Sequence, residues 1–183
     1  MKACIHALEN AVEIDPEYAP AILTLGSVKY QQQEEHLGRE LFLSLVSLPA
    51  DTMAGGAEEL AEIIDEAGDF LIESDQYADG LELYQAAVVR FPDDSILHQG
   101  LSCCAGHLER HEEAIAASRR AVELEPENQK HVNDLGWSYF QAGRLEEARE
   151  TLTRAVDMDP EYKLARTNLR LCREAIKQER ADE

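Results

Sequence analysis

The stretch 121–160 contains the same phrase twice: Ala-Val-Glu-Leu-Glu-Pro at 121–126 and Ala-Val-Asp-Met-Asp-Pro at 155–160, with prolines 34 residues apart. The phrase recurs another 34 residues upstream as Ala-Val-Val-Arg-Phe-Pro at 87–92. It appears once more, near the start of the chain, as Ala-Val-Glu-Ile-Asp-Pro at 11–16. A fixed period of this length indicates a repeat architecture, so the period outweighs the local propensity of any single segment.

Small residues recur at two fixed positions of each unit. The first set is Gly26, Gly68, Ser102 and Gly136, and the second, twelve residues later, is Gly38, Gly80, Ala114 and Ala148. Large apolar residues share the same helical stripes, since Leu145, Ala148 and Leu152 are spaced by three and four. Small residues let two helices approach closely, and the large ones fill the remaining volume. Gly143 can end the first helix in a left-handed conformation, and the proline ends the second, which predicts helix–turn–helix units.

This pattern resembles the tetratricopeptide repeat, whose signature over 34 residues is W-x2-L-G-x2-Y, then A, F and P. The resemblance is closest at 129–162, through Val132, Leu135, Gly136, Tyr139, Ala148, Leu152, Ala155 and Pro160. It implies an all-α solenoid, a right-handed superhelix of antiparallel helix pairs with a C-terminal capping helix. The chain departs from the signature at His98 and Ser118, which replace large apolar residues, and at Tyr30, which lies one place late.

The repeat phase predicts the organisation of the chain. We expect a partial repeat at 1–18 (second helix only), repeats at 19–50, 61–94, 95–128 and 129–162, an insertion or joint at 51–60, and a capping helix and tail at 163–183. Gly55-Gly56 favours a turn or flexible joint. The capping helix is expected to run to about Gln178, apolar on one side through Leu164, Leu169, Cys172 and Ile176. The partial repeat would leave apolar surface bare, to be covered by an upstream segment or by a second copy.

Charge and composition exclude several classes of function. The net charge of −20, from 17 basic and 37 acidic residues, would repel nucleic acid and anionic membranes. No apolar run reaches the roughly 18 residues of a spanning helix, and no signal peptide is recognisable. Four cysteines in a chain of this length do not make a disulfide framework, so reduced thiols and a cytoplasmic location are expected.

Enzyme motifs are absent from the sequence, which contains no Gly-rich phosphate loop, no G-x-S-x-G and no His-Glu-x-x-His. We therefore predict a non-catalytic protein without a cofactor. One local cluster, Cys103, Cys104, His107 and His111, has helical spacings that could ligate zinc or copper. Because Cys104 would point elsewhere and His111 should lie at or beyond the turn between the paired helices, the favoured prediction is that the chain has no metal site.

The resemblance to tetratricopeptide repeats implies that the first helices of successive units line a ligand groove. The partner-binding residues carried over in this way are Glu62, Asp65, Glu66, Asp69, Gln99, Cys103, His107, Asn133, Trp137 and Asn168. Asp134 and Gln141 fall at such positions as well. Trp137, the single tryptophan, would serve either as a contact anchor or as packing against a neighbouring helix. Residues 61–94 hold ten acids against Arg90 alone. This acidic surface either favours a ligand that carries Lys or Arg or is only a solvated face.

The sequence thus predicts a scaffold or adaptor that binds a peptide or protein segment. Some members of the family bind chaperone C-termini through a clamp of Lys, Asn and Arg. No run of three units here supplies that set, and Asp65 and Asp69 occupy positions that would need to be basic, so that role is predicted against. Two alternatives remain open: a chaperone-like accessory protein of secretion, and a scaffold that self-assembles as a homo-oligomer through its open N-terminal edge.

Overall fold

The computed structural model describes residues 2–50 and 55–182, which form ten α-helices and no strand, so the all-α prediction is confirmed. The helices are α1 Lys2–Ile14, α2 Ala19–Gln31, α3 Glu35–Leu45, α4 Gly56–Glu73, α5 Tyr77–Arg90, α6 Ser95–His107, α7 His111–Leu124, α8 Gln129–Gln141, α9 Leu145–Met158 and α10 Lys163–Asp182. None of these described helices is both long and apolar enough to cross a bilayer.

The chain divides into two compact units, Met1–Pro92 with α1 to α5 and Asp93–Glu183 with α6 to α10. In the first unit α2 packs on α3, α4 packs on α5, and α2 also contacts α4. In the second unit α6 packs on α7 and α8 packs on α9, while the first helices contact one another in the order α6, α8, α10. Each unit is therefore a stack of sequential helix pairs.

Local chemistry explains where these helices begin and end. The Asp94 carboxylate accepts from two backbone amides of the first turn of α6, and the Asn128 side chain accepts from Lys130 N at the start of α8. Such caps satisfy amides that have no partner inside the helix. The second helices α1, α5, α7 and α9 each end two residues before a proline, because that ring offers no amide hydrogen and disfavours helix in the preceding residue.

One residue in the left-handed region of φ joins the two helices of each pair, at the same position of every repeat. These residues are Gln33, Asp75, Glu109 and Gly143, with φ of 64°, 58°, 59° and 73°. The following amide then donates back to the end of the first helix, as Arg144 N does to Tyr139 O over 2.9 Å. This bond satisfies a carbonyl that the helix leaves open. The prediction for Gly143 is confirmed, and the other three turns use the same conformation without glycine.

The helix pairs are held together through contacts between residues that lie 16 apart in the sequence. The pairs are Gly26 with Phe42, Gly68 with Tyr84, Ser102 with Ser118, and Gly136 with Leu152. In three of them a large side chain of the second helix lies against a glycine of the first. In the second unit the core continues through Val132, Leu152, Ala165 and Cys172, which are fully buried. Burial of such side chains is the main source of stability in a stack of this kind.

The structure differs from the sequence-based expectations at two helix boundaries and at one residue. Residues 51–54 of the expected joint lie outside the described residues, and 56–60 are helical because α4 already begins at Gly56. The capping helix continues past Gln178 to Asp182. Leu164, placed on its apolar side by spacing, is 50% exposed, whereas the other three predicted apolar residues of α10 are buried.

Candidate functional site

A pocket of about 220 Å³ opens between α6 and α8 in the second unit. Four lining residues come from α6 and four from α8: Gln99, Ser102, Cys103, His107, Asp134, Trp137, Ser138 and Gln141. The two helices are the first helices of adjacent repeats, so residues at equivalent positions of each repeat face the same space. The pocket is therefore a direct consequence of the repeat register.

A chain of hydrogen bonds runs along one side of the pocket and joins three helices. Gln99 Nε2 of α6 donates to Asp134 Oδ2 of α8 over 2.8 Å, and Asn133 Nδ2 donates to Asp134 Oδ1 over 3.0 Å. Asn168 of α10 donates in turn to Asn133 Oδ1 over 3.0 Å. Burial raises the pKa of Asp134, and the two amide donors partly offset that increase. Asp134 is thus a half-buried carboxylate whose two oxygens each accept from a side-chain amide.

Three buried serine hydroxyls form a cluster, of which Ser102 and Ser138 line the pocket. Ser102 and Ser118 are hydrogen-bonded to each other, Ser118 Oγ lies 2.9 Å from Ser138 Oγ, and Ser138 also donates to Asp134 O over 2.9 Å. All three serines are buried, and their hydroxyls satisfy one another as buried polar groups must. Ser102 and Ser118 occupy the positions that hold a glycine and a large side chain in the other repeats, so the contact between the two helices is a hydrogen bond here.

Trp137 supplies the aromatic wall of the pocket. Its ring is half-buried and stacks on Phe140, with the ring centroids 5.0 Å apart. The side chain packs on a residue of its own helix and lines the pocket, and its role as a contact anchor stays a prediction. A stacked ring of this kind is held in one orientation and offers a rigid face to a ligand.

The predicted partner-binding residues are placed in three groups. Gln99, Cys103, His107 and Trp137 are brought together at the pocket. Asn133 and Asn168 are buried, 1% and 6% exposed, and their side chains bond to each other inside the unit, so they present no surface to a partner. Sequence analysis missed Ser102 and Ser138. The signal that could have found them is the double replacement of glycine and a large residue by serine at positions 102 and 118.

The third group of predicted residues lies on α4 in the first unit. Glu62, Glu66 and Asp69 are exposed, whereas Asp65 is half-buried and accepts from the Tyr84 hydroxyl over 3.0 Å. Although Asp69 is exposed, partial desolvation of its carboxyl group, together with repulsion from Glu73, raises its pKa. Asp65 is therefore engaged inside the unit, and the exposed acidic surface of α4 consists of the other three residues.

The cysteine and histidine cluster is split by the fold. Cys103 and His107 share the pocket, but Cys104 is fully buried and His111 begins the next helix. Within residues 2–50 and 55–182, no group of three or more His, Cys, Asp or Glu side chains is arranged to hold a metal ion.

The sequence profile of the family described as tetratricopeptide repeat matches residues 66–128, 105–163 and 133–171. These matches together span more than half of the chain. The chain belongs to the tetratricopeptide-repeat family. The family assignment agrees with the geometry above, in which small residues at two fixed positions of each repeat hold its two helices together.

Three similar proteins put this repeat array in context. The Hsp70/Hsp90 co-chaperone CNS1 of Saccharomyces cerevisiae is 27% identical over 126 residues, which are 66% of this chain and 33% of that protein. The first tetratricopeptide repeat of Spaghetti (RPAP3), bound to the HSP90 peptide SRMEEVD, has a TM-score of 0.60 at 21% identity, over 64% of this chain and 93% of that one. YrrB, a tetratricopeptide-repeat protein with an unusual peptide-binding site, has a TM-score of 0.62 at 19% identity, over 90% and 80%.

The matched regions cover only part of the curated relatives. The chain spans about a third or less of the length of the curated relatives it matches. At about 20% identity, the two structural neighbours share the fold with this chain.

Proposed function

We propose that this protein is a non-catalytic adaptor whose second unit binds an extended protein segment along α6 and α8. The observation that carries the proposal is the convergence of Gln99, Cys103, His107 and Trp137 on one pocket. Small-molecule sites usually enclose roughly 300–1,000 Å³. The pocket here, at about 220 Å³, is smaller than that and suits a single side chain of a longer ligand.

The named relatives support a protein segment as the class of ligand. One of them is called a co-chaperone, one was solved with an HSP90 peptide, and one is described by its peptide-binding site. The relatives indicate only the class of ligand. Which segment this chain binds depends on the residues of its own pocket. A cytoplasmic location is part of the same proposal.

The charge of the pocket favours a basic segment over an acidic one. The peptide SRMEEVD carries two glutamates and a terminal aspartate. Among the described residues that line the α6–α8 pocket there is a carboxylate, Asp134, and no Lys or Arg. An acidic peptide would bring like charges together in a partly dry site, which is unfavourable. The net charge of −20 acts in the same direction by attracting basic ligands to the chain.

Selection from a displayed library of random peptides tests the proposal directly. Selected peptides should bind the whole chain and lose at least tenfold in affinity with Trp137→Ala and with His107→Ala, since both side chains line the pocket. His107 is exposed, so its loss does not disturb the core. Val89→Ala removes an exposed apolar side chain from the first unit and is the matched control. Peptides that bind all three variants equally would contradict the proposal.

Salt separates the electrostatic part of binding from the rest. Raising ionic strength from about 50 to about 500 mM should weaken binding of basic peptides severalfold, because exposed charges are then screened. Glu66→Lys with Asp69→Lys lowers the net negative charge of the chain, and it should slow association while leaving the dissociation rate unchanged. Asp65 is left intact in this variant because it accepts from Tyr84. The accessory role in secretion and self-assembly through the N-terminal edge stay predictions.

A further inference from the structure

The carboxylate of Asp134, which lines the pocket, has hydrogen-bonding capacity beyond its two intramolecular donors. A carboxylate offers about four acceptor positions, two on each oxygen. Gln99 donates to Oδ2 and Asn133 donates to Oδ1, so each oxygen has one intramolecular donor. One position therefore remains on each oxygen. Because Asp134 lines the pocket, a ligand with two adjacent donors can meet both oxygens at once.

The donors Gln99 and Asn133 also hold the carboxylate still. Asn133 is itself fixed by Asn168 of α10, so the orientation of Asp134 is supported from three helices. A preorganised acceptor costs little to order on binding and discriminates strongly between ligands of different charge. A half-buried carboxylate such as Asp134 gains more from a cationic partner than an exposed one does.

The aromatic wall points to the shape of that partner. Trp137 lies one turn after Asp134 on α8, and both line the pocket. A guanidinium group is planar, presents its donors as a fork that matches a carboxylate, and stacks on aromatic faces. An ammonium group offers a point charge and no plane, so it uses only part of this geometry.

We propose that the α6–α8 pocket is a specificity subsite for one arginine side chain of the bound segment. Its guanidinium group pairs with the two oxygens of Asp134 and lies against the ring of Trp137. This inference rests on the proposed adaptor function and adds to it the identity of one ligand residue. Lysine fills the same space with a weaker fit, and neutral side chains do not satisfy the carboxylate.

The test uses the single tryptophan as a reporter, since its fluorescence comes from the pocket itself. The probes are acetylated pentapeptide amides, Ala-Ala-X-Ala-Ala, in which X is arginine, lysine or citrulline, titrated into the whole chain at low salt. Citrulline has nearly the shape of arginine without its charge. The arginine peptide should bind about tenfold or more tightly than the citrulline peptide, as a charge-assisted pair requires. Equal binding of the two would overturn the inference, and equal binding of lysine and arginine would overturn the guanidinium assignment.

Substitution of the carboxylate provides the second arm. Asp134→Asn should lower affinity for the arginine peptide about tenfold, because the charge is lost, and leave that for the citrulline peptide unchanged. The hydrogen bond to Gln99 can be kept, because its side-chain amide can rotate and accept from the new amide group. Asp157→Asn makes the same change at an exposed site on α9 and should alter neither value. If Asp134→Asn fails to fold, the comparison of arginine with citrulline on the native chain still decides. Library peptides that bind the pocket without a preference for arginine would refute this inference and leave the adaptor function in place.

Discussion

Gly136 of α8 and Leu152 of α9 pack so closely that a β-carbon on the glycine would lie 2.6 Å from Leu152 Cγ and 3.1 Å from Leu152 N. The second of these atoms is backbone and cannot move aside. Gly136→Ala should therefore push the two helices apart, which costs about 1–3 kcal/mol, against a gain of about 1 kcal/mol in helix propensity. We expect a net loss of about 1 kcal/mol in the free energy of unfolding.

The measurement is urea unfolding followed by Trp137 fluorescence, which reports on the second unit. Gly106→Ala is the matched control, because there the new β-carbon meets only the end of the flexible Gln141 side chain, with Oε1 at 2.8 Å. That variant should be neutral or slightly more stable. A Gly136→Ala protein as stable as the control would show that close helix approach is not required.

The left-handed turns give a prediction of opposite sign at two equivalent positions. Glu109 has φ of 59°, a conformation that costs a residue with a β-carbon about 1–2 kcal/mol and costs glycine little. After the greater entropy of unfolded glycine is subtracted, Glu109→Gly should stabilise the second unit by about 0.5–1 kcal/mol.

Gly143→Ala should destabilise the same unit by about 1 kcal/mol, although no atom lies within 4 Å of the new β-carbon. The two effects come from the backbone alone, so thermal unfolding of the two single variants checks them. A change of the same sign in both proteins would contradict this explanation.

How much of the fold the sequence predicts depends on how far the repeat register reaches. Proline spacing and Gly143 predict the helix pairs, but Gln33, Asp75 and Glu109 adopt the same left-handed turn without any glycine to announce it. Gly56 suggested a joint and instead begins α4. A glycine is therefore weak evidence for a joint between helices, because glycine can also be the first residue of a helix.

The candidate site shows the same division. Gln99 and Trp137 reach the pocket because the register alone sets the face on which they lie. Asn133 and Asn168 have equally favourable positions, but α10 packs on α8 and buries both. A rule that treats each helix separately cannot see that contact, since it depends on the neighbouring element.

Tyr30, the residue out of phase with the signature, should contribute a long-range hydrogen bond. Its hydroxyl donates to Asp79 Oδ2 of α5 over 2.7 Å, and its ring stacks on Phe42 with centroids 5.5 Å apart. Tyr30→Phe keeps the ring contact and removes the bond, and it should cost the first unit about 1 kcal/mol. Asp79 keeps a partner in Arg39, at 3.5 Å, so the loss stays moderate.

Tyr77→Phe is the control for this prediction. The Tyr77 hydroxyl bonds to Asp75, two residues away on the exposed surface, so its loss should change stability by less than about 0.5 kcal/mol. Circular dichroism during urea unfolding measures both variants. Equal effects of the two substitutions would indicate that the bond from Tyr30 to Asp79 adds nothing beyond local order.

His131 of α8 makes the stability of the second unit dependent on pH. The side chain is 1% exposed, neither ring nitrogen has a hydrogen-bond partner, and Glu125 Oε2 is 3.7 Å away. Burial lowers the pKa of His131, and attraction to Glu125 only partly offsets this. The unfolded chain, with a histidine pKa of about 6.5, then binds a proton before the folded chain does.

Stability should consequently be fully present above about pH 6.5 and fall as the pH drops below it, by at most about 1.4 kcal/mol per pH unit. His131→Leu should remove this slope between pH 7.5 and 5.5. The exposed His36, in the first unit, provides the control variant His36→Gln, which should keep the slope of the native chain. Urea midpoints from Trp137 fluorescence at each pH measure it, and parallel curves for native chain and His131→Leu would assign the acid sensitivity to other groups.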